Sequence, residues 1–194
     1  MDNLKGLKYP AMITLGGSML FLIAAFMPIS KVYMEADSAA RLQMIMDGRL
    51  QWNISQALFG LGALITAWGV GFFQVNLSDL PKVNLGWIAI MAISIGAILW
   101  SIHVYIRLTS PEGWINGDFP YIGHLFIIYS ILTQLGLLLL GLMILDSDFT
   151  PWVGWMLAVG GALLFLLLVI FKDMPPFVYY VLTAIASIHI LRQN

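Results

Sequence analysis

The spacing of the charged residues constrains this chain more than any other feature of its sequence. Only 9 basic and 10 acidic residues occur among 194, and they leave six long uncharged windows. The windows are 9–30, 50–78, 83–106, 119–145, 149–171 and 174–191. A helix needs about 20 apolar residues to cross the hydrocarbon core of a bilayer. Each window therefore predicts a membrane span, and the chain is too poor in charge for a water-soluble domain.

The predicted fold is all-α, a single transmembrane domain over 1–194 built as a bundle of six transmembrane helices. Long, continuous apolar runs are typical of helices, whereas barrel strands alternate apolar and polar residues over about 10 positions. The spans are predicted near 11–30, 53–73, 84–106, 121–145, 151–171 and 175–191. The fold class is therefore a polytopic helical membrane protein.

A short interfacial helix is predicted after the first span. Asp37 or Ser38 can cap its start, and Gly48 suits a left-handed stop. The residues that fall on one apolar stripe are Ala39, Leu42, Ile45 and Met46. This pattern predicts an amphipathic helix that lies on the membrane surface, and the alternative is a solvated linker.

With six spans, both termini lie on one side of the membrane, here called face A, and the segments 31–51 and 107–120 lie on the opposite side, face B. Four basic residues on face A and five on face B leave the positive-inside rule undecided. The lysines Lys5 and Lys8, which flank the first span, favour a cytoplasmic face A. The segment 110–120 has the composition of an ordered turn, in which Trp114 can tuck back into the interface.

Several function classes are excluded by missing residues. The chain has no cysteine, so it has no disulfide, thiolate metal site or cysteine nucleophile. No window contains a lysine for a retinal Schiff base, and the lack of a carboxylate in any window weakens the case for proton-coupled transport. A formal net charge of −1 without a basic run gives no footprint for nucleic acid.

His103 and His124 form the best candidate site. They lie near the adjoining ends of two antiparallel spans, so their imidazoles are expected at similar depth on face B. Two neutral histidines on facing helices can ligate haem, or they can bind Zn or Fe with a carboxylate from face B that completes the site, namely Asp118, Glu112, Glu35 or Asp37. The alternative is that each histidine hydrogen-bonds a neighbouring helix. His189 lies near face A and cannot join them.

Polar side chains in the fourth predicted span suggest a cavity. Ser130 and Gln134 are four residues apart and share a helix face, with Thr133 beside them. We expect any pocket between the third and fourth spans, opening to face B near Trp114. Interhelical hydrogen bonding is the alternative role of these groups.

Two arginines in the first connection, Arg41 and Arg49, occur with the run 56–62 (QALFGLG) and with 151–155 (PWVGW). This combination resembles bacterial six-span integral membrane proteins grouped as a domain of unknown function. The resemblance implies a multi-pass protein of the prokaryotic inner membrane, and it carries over no catalytic residue.

Three functions are therefore considered. The first is an accessory, scaffolding or sensory membrane component without catalytic chemistry, which binds lipid or another apolar ligand and associates with other membrane proteins or itself. The second is a haem or metal protein for electron transfer or oxidoreduction. The third is a small-solute transporter or channel. The absence of a catalytic motif favours the first.

Overall fold

The computed structural model describes residues 6–77, 82–145, 151–171 and 176–193, and within these ranges the chain is helical, with no strand. The α-helices are α1 Lys8–Phe26, α2 Ser38–Asp47, α3 Arg49–Asn76, α4 Val83–Thr109, α5 Pro111–Asn116, α6 Ile122–Leu145, α7 Pro151–Phe171 and α8 Phe177–Gln193. A 3-10 helix, η1, covers Pro28–Tyr33.

Five of these helices, α1, α3, α4, α6 and α7, are long and apolar enough to cross a membrane. The described part of α8 has 17 residues, which corresponds to about 25 Å at 1.5 Å per residue. That is shorter than a hydrocarbon core of about 30 Å. The chain is thus an all-helical bundle with five candidate spans, and the sixth span stays a prediction.

The six long helices follow one another around the bundle in the order α1, α3, α4, α6, α7 and α8, and α8 returns to α1. Helices α1 and α8 run antiparallel, because Phe26 contacts Phe177 while Ser18 hydrogen-bonds Thr183 at 2.8 Å. One end of the bundle, kept as face A, therefore holds the start of α1 and the end of α8. The other end, face B, holds η1, α2 and α5. The seam between α7 and α8 is the most lightly packed.

Glycines let α1 and α3 approach closely. A Cβ on Gly17 would collide with the backbone of Thr66, and one on Gly62 would lie 2.7 Å from the Phe21 nitrogen. Only Gly fits such a contact without moving the helices apart. By contrast, a Cβ on Gly71 of the same helix meets nothing within 4 Å.

Aromatic rings fill the bundle interior. Phe21 of α1 stacks on Tyr180 of α8 with ring centroids 3.6 Å apart, and it also meets Phe59 of α3 at 4.7 Å. Tyr129 of α6 lies 4.7 Å from Trp100 of α4, and its hydroxyl is 3.0 Å from that of Tyr180. Four helices are joined to α8 through this cluster.

The helix predicted after the first span is present as α2, and the Asp37 side chain caps it by accepting a hydrogen bond from the Ala39 nitrogen at 3.1 Å. Its buried face is narrower than the predicted stripe, since Ile45 is buried but Met46 is exposed. Ile45 packs on η1 and the start of α3, with Ile29, Val32 and Trp52. The helix therefore packs on the bundle, and its position at a membrane surface stays a prediction.

The left-handed stop predicted at Gly48 is wrong. Gly48 has φ −104° and ψ 28°, because the chain turns there directly into α3 at Arg49. The left-handed glycine is Gly117, with φ 78°, which ends α5 in the segment predicted as an ordered turn. A side chain at this φ is strained, so glycine is favoured there.

Three predicted boundaries at face B also move by three or more residues. The first helix ends at Phe26 instead of residue 30, because Pro28 starts η1 and cannot donate to a continuing helix. Helix α3 starts four residues earlier than predicted, at Arg49, and α4 continues to Thr109. Charged residues thus lie inside both helices at face B.

Candidate functional site: a buried arginine at face B

Arg107 is the most unusual side chain of the face B end. It lies in the last turn of α4, and only 3% of its surface is exposed. Charged side chains are almost never buried to this extent unless they are paired. Because α4 passes beyond the predicted end of its span, this guanidinium is enclosed by protein.

Three aromatic rings surround the Arg107 guanidinium, and we call this group the Arg107 cage. The guanidinium carbon lies 5.0 Å from the Trp100 ring centroid, 5.2 Å from Tyr33 and 5.7 Å from Trp114. Trp100 is seven residues before Arg107 on α4, so both lie on one helix face. Tyr33 comes from η1 and Trp114 from α5. Rings at these distances attract a cation through their quadrupoles.

The first turn of α3 fixes the end of α4 beside the cage. Pro111 has no N–H to donate back to the Arg107 carbonyl, so that oxygen instead accepts from Nε1 of Trp52 at 3.1 Å. Arg49 donates from Nη2 to the Leu108 carbonyl at 3.3 Å. A cation at a helix C-terminus is also favoured by the helix dipole. These contacts hold Arg107 in position from a second helix.

The aromatic rings leave two hydrogen-bond donors of Arg107 unused. Nε and Nη2 are buried and have no hydrogen-bond partner among the described residues. These two N–H groups lie on the same edge of the planar guanidinium, which is the edge that binds two oxygens of one carboxylate or phosphate. The cage thus contains a buried positive charge with a bidentate donor edge free.

Gln56 of α3 completes the polar lining. Its Nε2 donates to the Tyr33 hydroxyl at 2.8 Å, while its own Oε1 is buried without a hydrogen-bond partner in the described structure. The Tyr33 residue as a whole is 37% exposed, but its hydroxyl points inward to Gln56. Burial raises the pKa of this hydroxyl, and the Arg107 charge and the Gln56 hydrogen bond lower it by less. Tyr33 is therefore a neutral phenol next to the cation.

A second arginine reinforces the positive potential. The Arg41 guanidinium lies 5.8 Å from the Trp114 ring centroid and donates to the Glu35 carbonyl. Two guanidinium groups therefore lie within 6 Å of the Trp114 ring centroid, that of Arg41 from α2 and that of Arg107 from α4. The carboxylates of Glu112 and Asp118 are on exposed residues of the same end.

The structure places the two candidate histidines in different environments. His103 is buried, stacks on Trp100 at 5.3 Å, and its Nδ1 lies 3.2 Å from the Ile122 carbonyl. His124 is exposed. This hydrogen bond to the start of α6 matches the alternative role of His103, in which the histidine hydrogen-bonds a neighbouring helix.

Within the described ranges, no group of three or more histidine, aspartate or glutamate side chains could hold a metal ion. Asp118 and Glu112 are exposed on or after α5, and Glu112 belongs to its first turn. Haem or metal binding by His103 and His124 stays a prediction.

Ser130, Thr133 and Gln134 are all buried, and they line a small cavity of about 10 Å³. It lies between α6, α7 and the start of α8, since Leu164 and Tyr179 complete the lining. The cavity that these residues line is therefore not between the third and fourth predicted spans, where the sequence predicts a pocket. Trp114 lies in the Arg107 cage instead.

A comparison with protein-family models, curated proteins and solved structures finds no match. The resemblance to six-span bacterial membrane proteins accordingly stays a prediction, and the site is interpreted from its own chemistry.

Sequence reasoning missed Arg107 because it placed the first charge after each window outside the bilayer. A signal was nevertheless present. Trp100, His103 and Arg107 recur at intervals of three and four residues, which puts two aromatic rings and a cation on one face of a helix. That spacing predicts a buried cation when the helix continues past the charge.

Proposed function

We propose that this protein is a non-catalytic membrane component that binds an anionic amphiphile, a lipid-like molecule with a phosphate or carboxylate head, at the Arg107 cage. The observation that carries the proposal is the free Nε and Nη2 edge of Arg107, a residue that is only 3% exposed and whose guanidinium lies among three aromatic rings. A buried arginine cannot discard its charge by losing a proton, so it needs an anion. A head group with two oxygens in one plane would supply that anion once the side chains that enclose Nε and Nη2 move aside.

An amphiphile fits the site better than a soluble anion. The cage sits at the end of apolar helices, and the exposed surface of α4 includes Ile102 and Tyr105 at the same level. Arg41 adds a second cation beside Trp114, which favours a head group that carries a full negative charge. The apolar tail would then follow the outside of the bundle, and an accessory or sensory role follows from such binding.

The test uses the purified full chain in nanodiscs of phosphatidylcholine alone or of phosphatidylcholine with phosphatidylglycerol. Thermal unfolding is followed by tryptophan fluorescence. A ligand present at 100 times its Kd stabilises the folded state by about 2.7 kcal/mol. We expect the anionic lipid to raise the Tm of the natural chain and to leave that of Arg107→Met unchanged.

The matched control is Arg192→Met, which removes an exposed arginine at face A and should keep the full response. Arg107→Lys keeps the charge but loses the bidentate edge, so it should fold and respond weakly. Inorganic phosphate added to phosphatidylcholine nanodiscs tests a soluble anion in place of the lipid. The proposal is refuted if Arg107→Met responds to the anionic lipid as strongly as the natural chain.

A further inference from the structure

A second site lies deeper in the bundle, where three unsatisfied polar groups line one cavity. Ser130 Oγ, Gln134 Oε1 and the Tyr179 hydroxyl are buried and have no hydrogen-bond partner in the described part of the chain. All three residues line the cavity of about 10 Å³ between α6, α7 and α8. Three unpaired polar atoms at one place are costly, because each loses its hydrogen bonds with water on burial.

The size and chemistry of the cavity select its ligand. A volume of about 10 Å³ is close to the minimum that one water molecule requires, and a buried water typically makes about three hydrogen bonds. Gln134 Oε1 accepts a hydrogen bond, and the two hydroxyls can each donate or accept. One water has enough hydrogen bonds to satisfy all three groups.

We propose that this cavity binds a single structural water molecule that joins Ser130 and Gln134 of α6 to Tyr179 of α8. The link matters because α7 packs only lightly against α8, and the Tyr129 to Tyr180 hydroxyl contact of 3.0 Å is the neighbouring polar bridge between α6 and α8. The water and the tyrosine pair would together link α8 to α6, while α8 packs mainly on α1. This site is independent of the anion site at Arg107.

The test is a double-mutant cycle with Ser130→Ala and Tyr179→Phe in the full detergent-solubilised chain. Both changes remove a hydroxyl and nearly preserve shape. If the water is present, each change lowers the Tm and reduces the folded-to-unfolded ratio on the order of tenfold. The double variant should then lose less than the product of the single losses, because the same water is disrupted once.

Thr133→Val is the matched control. Thr133 lines the same cavity, but its hydroxyl already donates within α6 to the carbonyl of Tyr129 at 2.9 Å. Its effect should be small and independent of Tyr179→Phe. A structure at a resolution that reveals ordered water should place density within hydrogen-bond distance of all three groups.

Two experimental outcomes would contradict the water proposal. In a dry cavity, removal of an unpaired hydroxyl raises the Tm, so a stabilising Tyr179→Phe would overturn the proposal. Independent losses in the two single variants would overturn it too, since they would mean that the two hydroxyls share no molecule.

Discussion

Substitution of two adjacent glycines in α1 tests the packing of the bundle directly. An ideal Cβ on Gly17 would lie 2.6 Å from the Thr66 hydroxyl and 2.9 Å from the Gly62 carbonyl oxygen, and it would also collide with the Thr66 nitrogen. A Cβ on Gly16 meets nothing within 4 Å. The two sites share the same helix and depth, but only Gly17 faces α3.

The expected magnitudes follow from these distances. Gly→Ala in a helix gains about 0.5–1 kcal/mol from the reduced freedom of the unfolded chain, and both variants receive this gain. Nonbonded carbon atoms pack best at about 3.5–4.0 Å, so Gly17→Ala must move α1 away from α3 by roughly 1 Å. Overpacking of this kind costs about 1–3 kcal/mol. Gly16→Ala should therefore be neutral or stabilising, while Gly17→Ala should be destabilising by about 1–2 kcal/mol net.

The assay is unfolding of the detergent-solubilised chain by heat and by SDS titration, with helicity followed by circular dichroism. Because both variants carry the same new methyl group, the difference between their stabilities isolates the contact with Thr66 and Gly62. Equal stability of Gly16→Ala and Gly17→Ala would refute the close approach of α1 and α3.

Three further changes test the face B end. Tyr33→Phe should reduce the loss of stability at alkaline pH. Because the pKa of Tyr33 is raised in the folded state, its contribution to stability is full below pH about 10 and is lost as the pH rises through the folded pKa. Thermal melts of the two chains that superimpose across this pH range would contradict the prediction. Asp37→Ala should cost α2 about 1 kcal/mol by loss of its cap, seen as faster amide exchange in α2 with an unchanged bundle Tm. Trp52→Phe should cost about 1–3 kcal/mol in thermal unfolding, because the Arg107 carbonyl loses its donor and Pro111 cannot replace it; an unchanged Tm would count against that capping bond.

The helical part of the fold could be predicted because it depends on local composition. Uncharged windows of sufficient length locate the helices, and α7 begins at Pro151 and ends at Phe171, as expected from its window and its starting proline. The helix after the first span was also predictable from the capping chemistry of Asp37. The error at Gly48 arose because a glycine after a helix also suits a sharp turn into the next helix, and local sequence does not distinguish the two.

The candidate site could not be predicted in the same way, because it is tertiary. Tyr33, Trp114 and Arg107 are brought together by η1, α5 and α4, and no local pattern relates the first of them to the other two. Likewise, Ser130 and Gln134 were identified as sharing a helix face, but the partner that closes their cavity, Tyr179, comes from α8. Periodicity predicts which face of a helix is polar, and only the packing determines what that face meets.

The contrast between His103 and Arg107 decides which buried group at face B requires a ligand. A histidine can be buried in its neutral form, and a neutral imidazole has one N–H to donate. In His103, Nδ1 forms a hydrogen bond with the Ile122 carbonyl, and the ring stacks on Trp100. Arg107 has no neutral form at physiological pH, and none of the described residues accepts a hydrogen bond from Nε or Nη2. Each desolvated cation–π contact contributes about 2 kcal/mol or more, so the three rings offset part of the several kcal/mol that burial of the charge costs, but they supply no oxygen acceptor to Nε and Nη2. The proposed anion would supply the missing interaction on the free guanidinium edge, and for that reason we place the proposed binding function at Arg107 and not at the histidine pair.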